Sequence, residues 1–206
     1  MPSLPVTFFY PYPDELAALS DLDLDEYLYW SHEGKERRRA WILQTYLRLR
    51  EAGHPVSISD TLPDRGLLVL LPEPEIRRAF DAQFTRAHRS LLLVTVRADV
   101  TEYRPLLGDV DIVQNGRFAD DDRVFFVPHW PQPGLLPRDS RRGTRVENIV
   151  FKGGFGSLLS DFRSAQWNDY LAAHDLTFRI ASAETEGTVP NWHDYRTADL
   201  NLAVRP

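Results

Sequence analysis

The 206-residue chain contains no cysteine, which excludes disulfides, thiolate metal sites and cysteine nucleophiles. It also has no apolar run approaching the ~18 residues that a membrane-spanning helix needs. Residues 1–12 have neither the basic segment nor the apolar core of a secretory signal. We therefore expect a cytoplasmic protein that is neither secreted nor integral to a membrane.

Basic residues are fewer than acidic residues in this chain. The chain has 24 Lys and Arg against 30 Asp and Glu, giving a formal net charge of −6. Because nonspecific affinity for nucleic acid comes chiefly from clustered basic side chains, no nucleic-acid partner is expected. The one basic run, residues 35–39, leads directly into an amphipathic helical pattern and is interpreted as a solvated first turn.

The first 128 residues alternate short apolar runs with helical periodicity. Strands are expected at residues 6–10, 56–59, 66–71, 90–96, 109–113 and 123–127, and helices at residues 36–52 and 75–84. Continuous apolar runs such as residues 66–71 are typical of strands buried on both faces of a parallel sheet. The order of elements predicts an α/β fold with a Rossmann-like, mostly parallel sheet and right-handed crossovers.

Prolines and glycines interrupt this pattern after residue 128. We predict a first domain at residues 1–128, a linker at 129–146 and a second α/β unit at 147–206. The second unit is expected to contain strands at 147–151, 177–181 and 199–204, and a helix at 160–174 capped by Ser160 or Asp161. Because sheets usually have about five or six strands, this unit is expected to be incomplete.

Five short motifs carry a resemblance to a known family. They are residues 96–99 (VRAD), 111–115 (DIVQN), 127–138 (VPHWPQPGLLPR), 147–153 (ENIVFKG) and 192–195 (WHDY). In them the chain resembles bacterial glycosyltransferase-like proteins of GT-B architecture, from about residue 34 to the C-terminus. The resemblance implies two Rossmann-like domains facing a cleft, the first binding mainly the acceptor and the second mainly the nucleotide-sugar. The acidic stretch 14–30 has no counterpart in the family.

The function implied by the resemblance is transfer of a sugar from a nucleotide-sugar donor to an unknown acceptor. Family members continue beyond the position of Pro206 into the segments that hold the nucleotide. We therefore expect an acceptor domain with the start of a donor domain, and little or no transferase activity from this chain alone. No cofactor and no catalytic residue is assigned. Apolar faces exposed by an unfinished second unit would favour self-association.

A non-catalytic carbohydrate- or protein-binding module remains the alternative. Aromatic residues make up 12% of the chain, and five of them crowd near the first loop: Tyr10, Tyr12, Tyr27, Tyr29 and Trp30. Aromatic rings bury large areas and suit such binding surfaces. The chain has no serine-histidine-aspartate signature, no HExxH motif and no P-loop.

Gly153, Gly154 and Gly156 are the candidate nucleotide-binding residues. They follow a predicted strand and precede a predicted helix, where backbone N–H groups can meet a phosphate. Their spacing is not the full dinucleotide fingerprint, and taken alone it is more often a tight turn than a ligand site. The resemblance places the ligand role on an equal footing with the turn, because in GT-B enzymes the first loop of the donor domain faces the cleft.

Three polar residues are candidate substrate contacts in the first domain. Arg97 and Asp99 come just after a buried strand, where α/β sheets usually place ligand contacts. An ion pair of Arg97 with Asp99 or Asp111 that only pins the loop is equally consistent with the sequence. Asn115 is the third candidate, although an Asn-Gly pair is also common in turns.

His129 and Trp130 are further candidate substrate contacts, between two prolines at the end of a predicted strand. The imidazole could act as a base or a hydrogen-bond donor near the acceptor. A rigid corner in which Trp130 packs is the favoured interpretation. No metal site is expected, because His193 and Asp194 alone are an incomplete ligand set.

Four arginines are concentrated in the predicted linker: Arg138, Arg141, Arg142 and Arg145. They could bind a diphosphate if the fold brought them together. Otherwise they are expected to be solvated, because linkers run over the protein surface. The sequence alone favours the solvated interpretation.

Overall fold

A computed structural model of the chain describes residues 4–22, 24, 36–98, 108–119, 122–128, 134–182 and 192–203. The chain divides into two compact units, Met1–Pro131 and Gln132–Pro206. Each unit combines helices with a parallel sheet. Within the described ranges, no helix has the length and apolarity needed to cross a bilayer.

The sheet of the first unit has six strands. They are β1 (Val6–Phe9), β2 (Val56–Ser59), β3 (Gly66–Leu70), β4 (Leu91–Arg97), β5 (Val110–Val113) and β6 (Val124–Phe126). The strand order is β2-β1-β3-β4-β5-β6, and every neighbouring pair is parallel. The predicted α/β fold with a largely parallel sheet is confirmed, and the strands lie close to their predicted positions.

Helical segments of the first unit follow β1 and β3. They are α1 (Pro13–Ala17), α2 (Glu36–Arg38), α3 (Gln44–Glu51) and α4 (Pro74–Gln83). A π-helical segment, Arg39–Leu43, joins α2 to α3, and the Gln44 N–H donates to the Arg39 carbonyl five residues earlier. The predicted helix at 36–52 is thus present with a widened turn inside it. Such π turns are frequent at functional sites.

The core of the first unit lies on its three central strands. Phe9, Ile42, Leu43 and Leu68 have no exposed surface, and Leu70 is 2% exposed. Burying such a side chain stabilises a fold by about 1.5–3 kcal/mol. Because β1, β3 and β4 have neighbours on both sides, their loops are held on a rigid platform.

The sheet of the second unit has three strands. They are β7 (Asn148–Lys152), β8 (Thr177–Ala181) and β9 (Leu200–Leu202), in the order β8-β7-β9 and all parallel. The helix α5 (Ala165–Ala172) connects β7 to β8. Its cap is Ser164, whose hydroxyl accepts a hydrogen bond of 3.1 Å from the Trp167 N–H. The predicted caps, Ser160 and Asp161, lie instead in a preceding 3-10 turn.

Described residues of the predicted linker, from 134 onward, form part of the second unit. Leu136 makes a parallel bridge with Asp194, and Ser140–Arg142 forms a 3-10 turn. The turn ends at Gly143, whose φ of +53° lies in the left-handed region that favours glycine. This segment is therefore held by backbone hydrogen bonds rather than only solvated.

Gly66→Ala should destabilise the first unit by about 2 to 3 kcal/mol. Gly66 has a φ of +113°, and a Cβ there would lie 2.4 Å from the Pro5 carbonyl oxygen. Urea unfolding followed by circular dichroism measures the change. The matched control is Gly116→Ala, because a Cβ at Gly116 meets only the Phe126 ring at 3.8 Å. Equal stability of the two variants would contradict the prediction.

Candidate functional site

The carboxyl edge of the six-stranded sheet is the candidate site of the first unit. Open parallel sheets bind ligands outside the carboxyl ends of their strands, at the point where the strand order reverses. Here the order reverses at β1, which lies between β2 and β3. The chain leaves this edge at Tyr10 after β1, at Leu71 after β3 and at Ala98 after β4.

A buried ionic cluster, the Glu15 cluster, occupies this edge and consists of Tyr10, Glu15, Arg38 and Arg39. The Tyr10 hydroxyl donates to Glu15 Oε2 at 2.6 Å. Arg38 Nη2 donates to Oε1 at 2.8 Å, and Arg39 Nε donates to Oε2 at 3.0 Å. The two arginine side chains are only 11% and 9% exposed. Both carboxylate oxygens therefore accept hydrogen bonds, from the end of β1 and from the helix.

The protonation states of the cluster follow from this geometry. Burial opposes ionisation of Glu15, but hydrogen bonds from Tyr10, Arg38 and Arg39 outweigh it and lower its pKa to about 2. Burial, followed by the hydrogen bond to Glu15, raises the pKa of Tyr10 well above its usual value. At neutral pH the cluster thus holds an ionised carboxylate and a neutral phenol. Glu15 positions the two arginines and is not available as a base.

An aromatic rim lies beside the cluster. The Arg38 guanidinium carbon lies 4.0 Å from the centre of the Tyr12 ring, a cation–π contact. The Tyr12 hydroxyl donates to Glu75 Oε2 at 3.3 Å, and the Tyr12 and Tyr10 rings pack edge to face at 5.0 Å. The rim therefore places the Tyr12 phenol and the Glu75 carboxylate beside the buried charges of the Glu15 cluster.

Arg37 extends the rim toward β3 and β4. Its Nη2 donates to the Ala98 carbonyl at 2.7 Å, and its Nη1 lies 3.8 Å from Glu73 Oε1. The side chain of Arg37 is 45% exposed, so its guanidinium is accessible to a ligand. Tyr12, Glu75, Glu73 and Arg37 together are called the polar rim below. A ligand with several hydroxyl groups could bond to both its donors and its acceptors.

Arg97 pairs with Asp111, one of the two partners left open by the sequence. Arg97 Nη1 lies 3.7 Å from Asp111 Oδ2, and the two side chains are 5% and 0% exposed. The Thr95 hydroxyl donates to the other Asp111 oxygen. Arg97 is thus a buried anchor between β4 and β5 in the described structure. The other candidate partner, Asp99, lies outside the described residues.

Of the remaining candidate substrate contacts of the first unit, Asn115 lies in the described structure and His129 and Trp130 do not. Asn115 Oδ1 accepts a hydrogen bond of 3.1 Å from the Arg117 N–H and caps the 3-10 turn Gly116–Phe118. This is the local turn that the Asn-Gly pair predicts. His129 and Trp130 lie outside the described residues, so their predicted roles stay predictions.

The glycine loop of the second unit does not lead directly into a helix. After β7, Gly153 and Gly154 precede a 3-10 turn at Phe155–Ser157 that includes Gly156, and α5 begins only at Ala165. None of the three glycines has a positive φ. A Cβ at Gly153 would lie 3.0 Å from the Phe151 ring, whereas one at Gly156 would meet nothing within 4 Å. The glycines thus follow a strand and precede a helix, but a further 3-10 turn at Ser160–Arg163 comes before α5, and the nucleotide role stays a prediction.

A second ionic cluster in the second unit centres on Asp199, whose side chain has no exposed surface. Arg142 donates to both of its oxygens at 2.8 Å, and Arg138 Nε donates at 2.9 Å. The backbone N–H groups of Glu147 and Asn148 each donate at 2.9 Å. Hydrogen bonds from Arg142, then from these N–H groups and Arg138, outweigh burial and hold the pKa of Asp199 far below its usual range.

The four arginines around the predicted linker each have an acidic partner. Arg138 and Arg142 converge on Asp199, Arg141 Nη2 lies 2.6 Å from Asp139, and Arg145 pairs with Glu147. Only two of the four, Arg138 and Arg142, come together, and the group that they bind is the Asp199 carboxylate of the same chain. This arrangement stabilises the unit and leaves Arg138 and Arg142 committed to a structural role.

The WHDY motif also forms a turn. Asp194 Oδ1 accepts from the Arg196 N–H at 3.0 Å, and its other oxygen lies 2.7 Å from Arg196 Nη2. The Trp192 indole donates to the Ala181 carbonyl at 3.0 Å. The part of the chain that the structure describes holds no group of three His, Cys, Asp or Glu suited to a metal ion.

No family model, curated protein or solved structure matches the chain. The sequence did not predict the Glu15 cluster, and in the second cluster it singled out Arg138 and Arg142 but not Asp199. The expectation that the basic run forms a solvated turn is wrong for Arg38 and Arg39. The available signal was an acidic residue after the first strand and a basic run at a helix start, but their pairing spans more than 20 positions.

Glu15→Gln should remove an acid-sensitive part of the stability. The folded pKa of Glu15, about 2, lies below its reference value of 4.5, so its contribution is present above pH 4.5 and is lost as the pH falls toward 2. Between pH 6 and pH 3 the wild type should lose about 2 kcal/mol more than the variant. Urea unfolding at both pH values tests this.

The control for Glu15 is Asp81→Asn, which removes an exposed carboxylate of α4. It should leave the wild-type acid sensitivity unchanged, because exposed ion pairs contribute little. If Glu15→Gln retains the full wild-type pH dependence, the Glu15 cluster is not ionised as described.

Asp199→Asn should lower the melting temperature of the second unit. The substitution leaves Arg138 and Arg142 without the charge that both contact. Hydrogen exchange of the β7 amides should accelerate, because the Asn148 N–H loses a charged acceptor. Asp169→Asn, on an exposed face of α5, is the control. Unchanged exchange in β7 would show that the Asp199 cluster does not hold the strand.

Proposed function

We propose that the chain is a glycosyltransferase-like protein of the GT-B type that transfers a sugar from a nucleotide-sugar donor to a hydroxyl-bearing acceptor. The observation that carries the proposal is the polar rim at the strand-order reversal of the first sheet. It lies where parallel sheets bind ligands, and its groups suit a sugar. The two successive parallel α/β units support the GT-B assignment.

The polar rim fits the chemistry of a sugar acceptor. Sugar hydroxyls donate to carboxylates, and Glu73 and Glu75 supply carboxylate oxygens at one edge. Sugar oxygens accept from guanidinium groups, and Arg37 is accessible there. Tyr12 adds an aromatic face and a phenol. These groups can therefore bind a neutral, hydroxyl-rich ligand through hydrogen bonds, without a metal ion.

The Glu15 cluster would act as the support of the acceptor site. Sugar transfer depends mainly on orienting the two substrates and on stabilising the leaving diphosphate. Arg38, held by Glu15, contacts the Tyr12 ring and so fixes the aromatic part of the rim. In the proposal the second unit takes the donor, with Gly153, Gly154 and Gly156 as the nucleotide-binding residues.

A non-catalytic carbohydrate-binding module is the second candidate. One observation favours it: the pKa of Glu15 and the pKa of Tyr10 are both moved away from neutrality. Efficient general acid–base catalysis uses groups with a pKa near the working pH. The Glu15 cluster holds Arg38 and the Tyr12 ring in place, which a binding module needs as much as an enzyme does.

Tyr12→Ala should weaken sugar binding about tenfold, because it removes the aromatic face of the rim. Binding is measured by saturation-transfer NMR with a panel of mono- and disaccharides, and donor use by release of nucleoside diphosphate from UDP-, GDP- and dTDP-sugars. The control is Tyr170→Ala, which removes a tyrosine of the second unit that is 58% exposed.

The three outcomes are distinct. Sugar binding that depends on Tyr12, together with acceptor-dependent release of nucleoside diphosphate, supports the transferase. The same binding without any release in the presence of donor favours the module. Sugar binding that is absent, or equally affected by Tyr12→Ala and Tyr170→Ala, contradicts both candidates.

A further inference from the structure

A separate cavity lies at the amino edge of the first sheet. Its volume is about 390 Å³, within the roughly 300–1,000 Å³ usual for small-molecule pockets. It is lined by the end of α4, by the 3-10 turn Arg86–Ser90 and by the starts of β4 and β5. The polar rim lies at the opposite, carboxyl edge, so this cavity does not depend on the proposed function.

One wall of the cavity is a run of three rings, each tilted by 30–35° against the next. Phe80 and Phe84 lie 5.1 Å apart between ring centres at 30°, and Phe84 and His88 lie 6.0 Å apart at 35°. His88 Nδ1 accepts from the Thr85 N–H at 3.0 Å, which fixes the imidazole and places the proton of the neutral ring on Nε2. Phe84 is 42% exposed. The wall offers an open π face with an N–H donor at its end.

Asp109 also lines the cavity, and hydrogen bonds with Leu93 fix its carboxylate. The Asp109 N–H donates to the Leu93 carbonyl at 2.8 Å, and the Leu93 N–H donates back to Asp109 Oδ2 at 2.7 Å. Gly108 permits this approach, since a Cβ there would lie 2.5 Å from the Leu93 carbonyl oxygen. Among the described residues, Asp109 Oδ1 has no hydrogen-bond partner. Oδ1 therefore has a fixed orientation and can accept a hydrogen bond from a ligand.

These groups select one class of ligand. A flat ring stacks on Phe84, apolar ring atoms contact Leu91 and Leu93, and an amino group donates to Asp109. The His88 Nε2–H supplies a donor for a ring nitrogen. We propose that the cavity binds a planar nitrogen heterocycle with an exocyclic amino group, as in an aminopurine.

Adenosine and inosine are a matched pair of probes. They share the ring and the ribose, but inosine carries a carbonyl where adenosine carries the amino group. Titration of the full ¹⁵N-labelled chain with adenosine should shift the amide signals of Leu93 and Asp109, with a Kd below about 1 mM. Inosine should bind about tenfold more weakly, because it turns an acceptor toward the Asp109 carboxylate.

Two variants and one control locate the site. Phe84→Ala should weaken adenosine binding about tenfold. Asp109→Asn should abolish the preference for adenosine, because its amide can also donate to the inosine carbonyl while its oxygen still accepts from Leu93. Leu92→Ala is the control: Leu92 is 45% exposed, and alternation along β4 places it on the face opposite to Leu91 and Leu93.

The proposal is overturned by any of three results. One is the absence of shifts at 10-fold the stated limit, about 10 mM adenosine. Another is equal binding of adenosine and inosine by the wild type. The third is adenosine binding that Phe84→Ala leaves unchanged or that Leu92→Ala weakens as much. Melting curves of each variant confirm that a loss of binding does not reflect unfolding.

Discussion

The Glu15 carboxylate is the contact on which the carboxyl edge of the first unit depends. It accepts hydrogen bonds from the end of β1 and from two successive arginines at the start of the long helix. A charge buried at this depth is tolerated only when its hydrogen-bonding capacity is filled. Arg38 in turn packs over Tyr12, so the position of the aromatic rim follows from the same ionic contacts. The candidate ligand-binding edge is thus held by electrostatic contacts over an apolar core.

Both units contain the same kind of ionic cluster. In each, one carboxylate is buried and held by two arginines and by further donors, Tyr10 for Glu15 and the backbone N–H groups of Glu147 and Asn148 for Asp199. The arginines keep their charge at any physiological pH, and a guanidinium donates in a fixed plane. The result is orientation of loops that short strands alone would leave weakly fixed. It also means that Arg38, Arg39, Arg138 and Arg142 are paired with carboxylates of the same chain.

The regular elements of the fold are readable from the sequence because their signals are local. The apolar run at Gly66–Leu70 is long enough for one strand, and the periodicity from residue 36 onward marks one helix face. Caps were less predictable: Ser160, Asp161 and Ser164 can all accept a hydrogen bond from a helix N–H, and in the structure Ser164 does so for α5. The π turn at Arg39–Leu43 was not predicted, because it is a local widening in which the Gln44 N–H donates to the carbonyl five residues earlier, and this change was not recognised in the apolar pattern of residues 36–52.

The sequence by itself determined the α/β class, the parallel character of the sheets and the positions of nearly all the strands, since these depend on runs of 4 to 10 neighbouring residues. The tertiary structure alone decided which charges meet. Glu15 pairs with Arg38 and Arg39 across more than 20 positions, Asp199 with Arg138 and Arg142 across more than 50, and Arg97 with Asp111 across 14. An ion pair forms wherever the backbone brings two groups within about 4 Å, and that distance is set by the packing of distant segments.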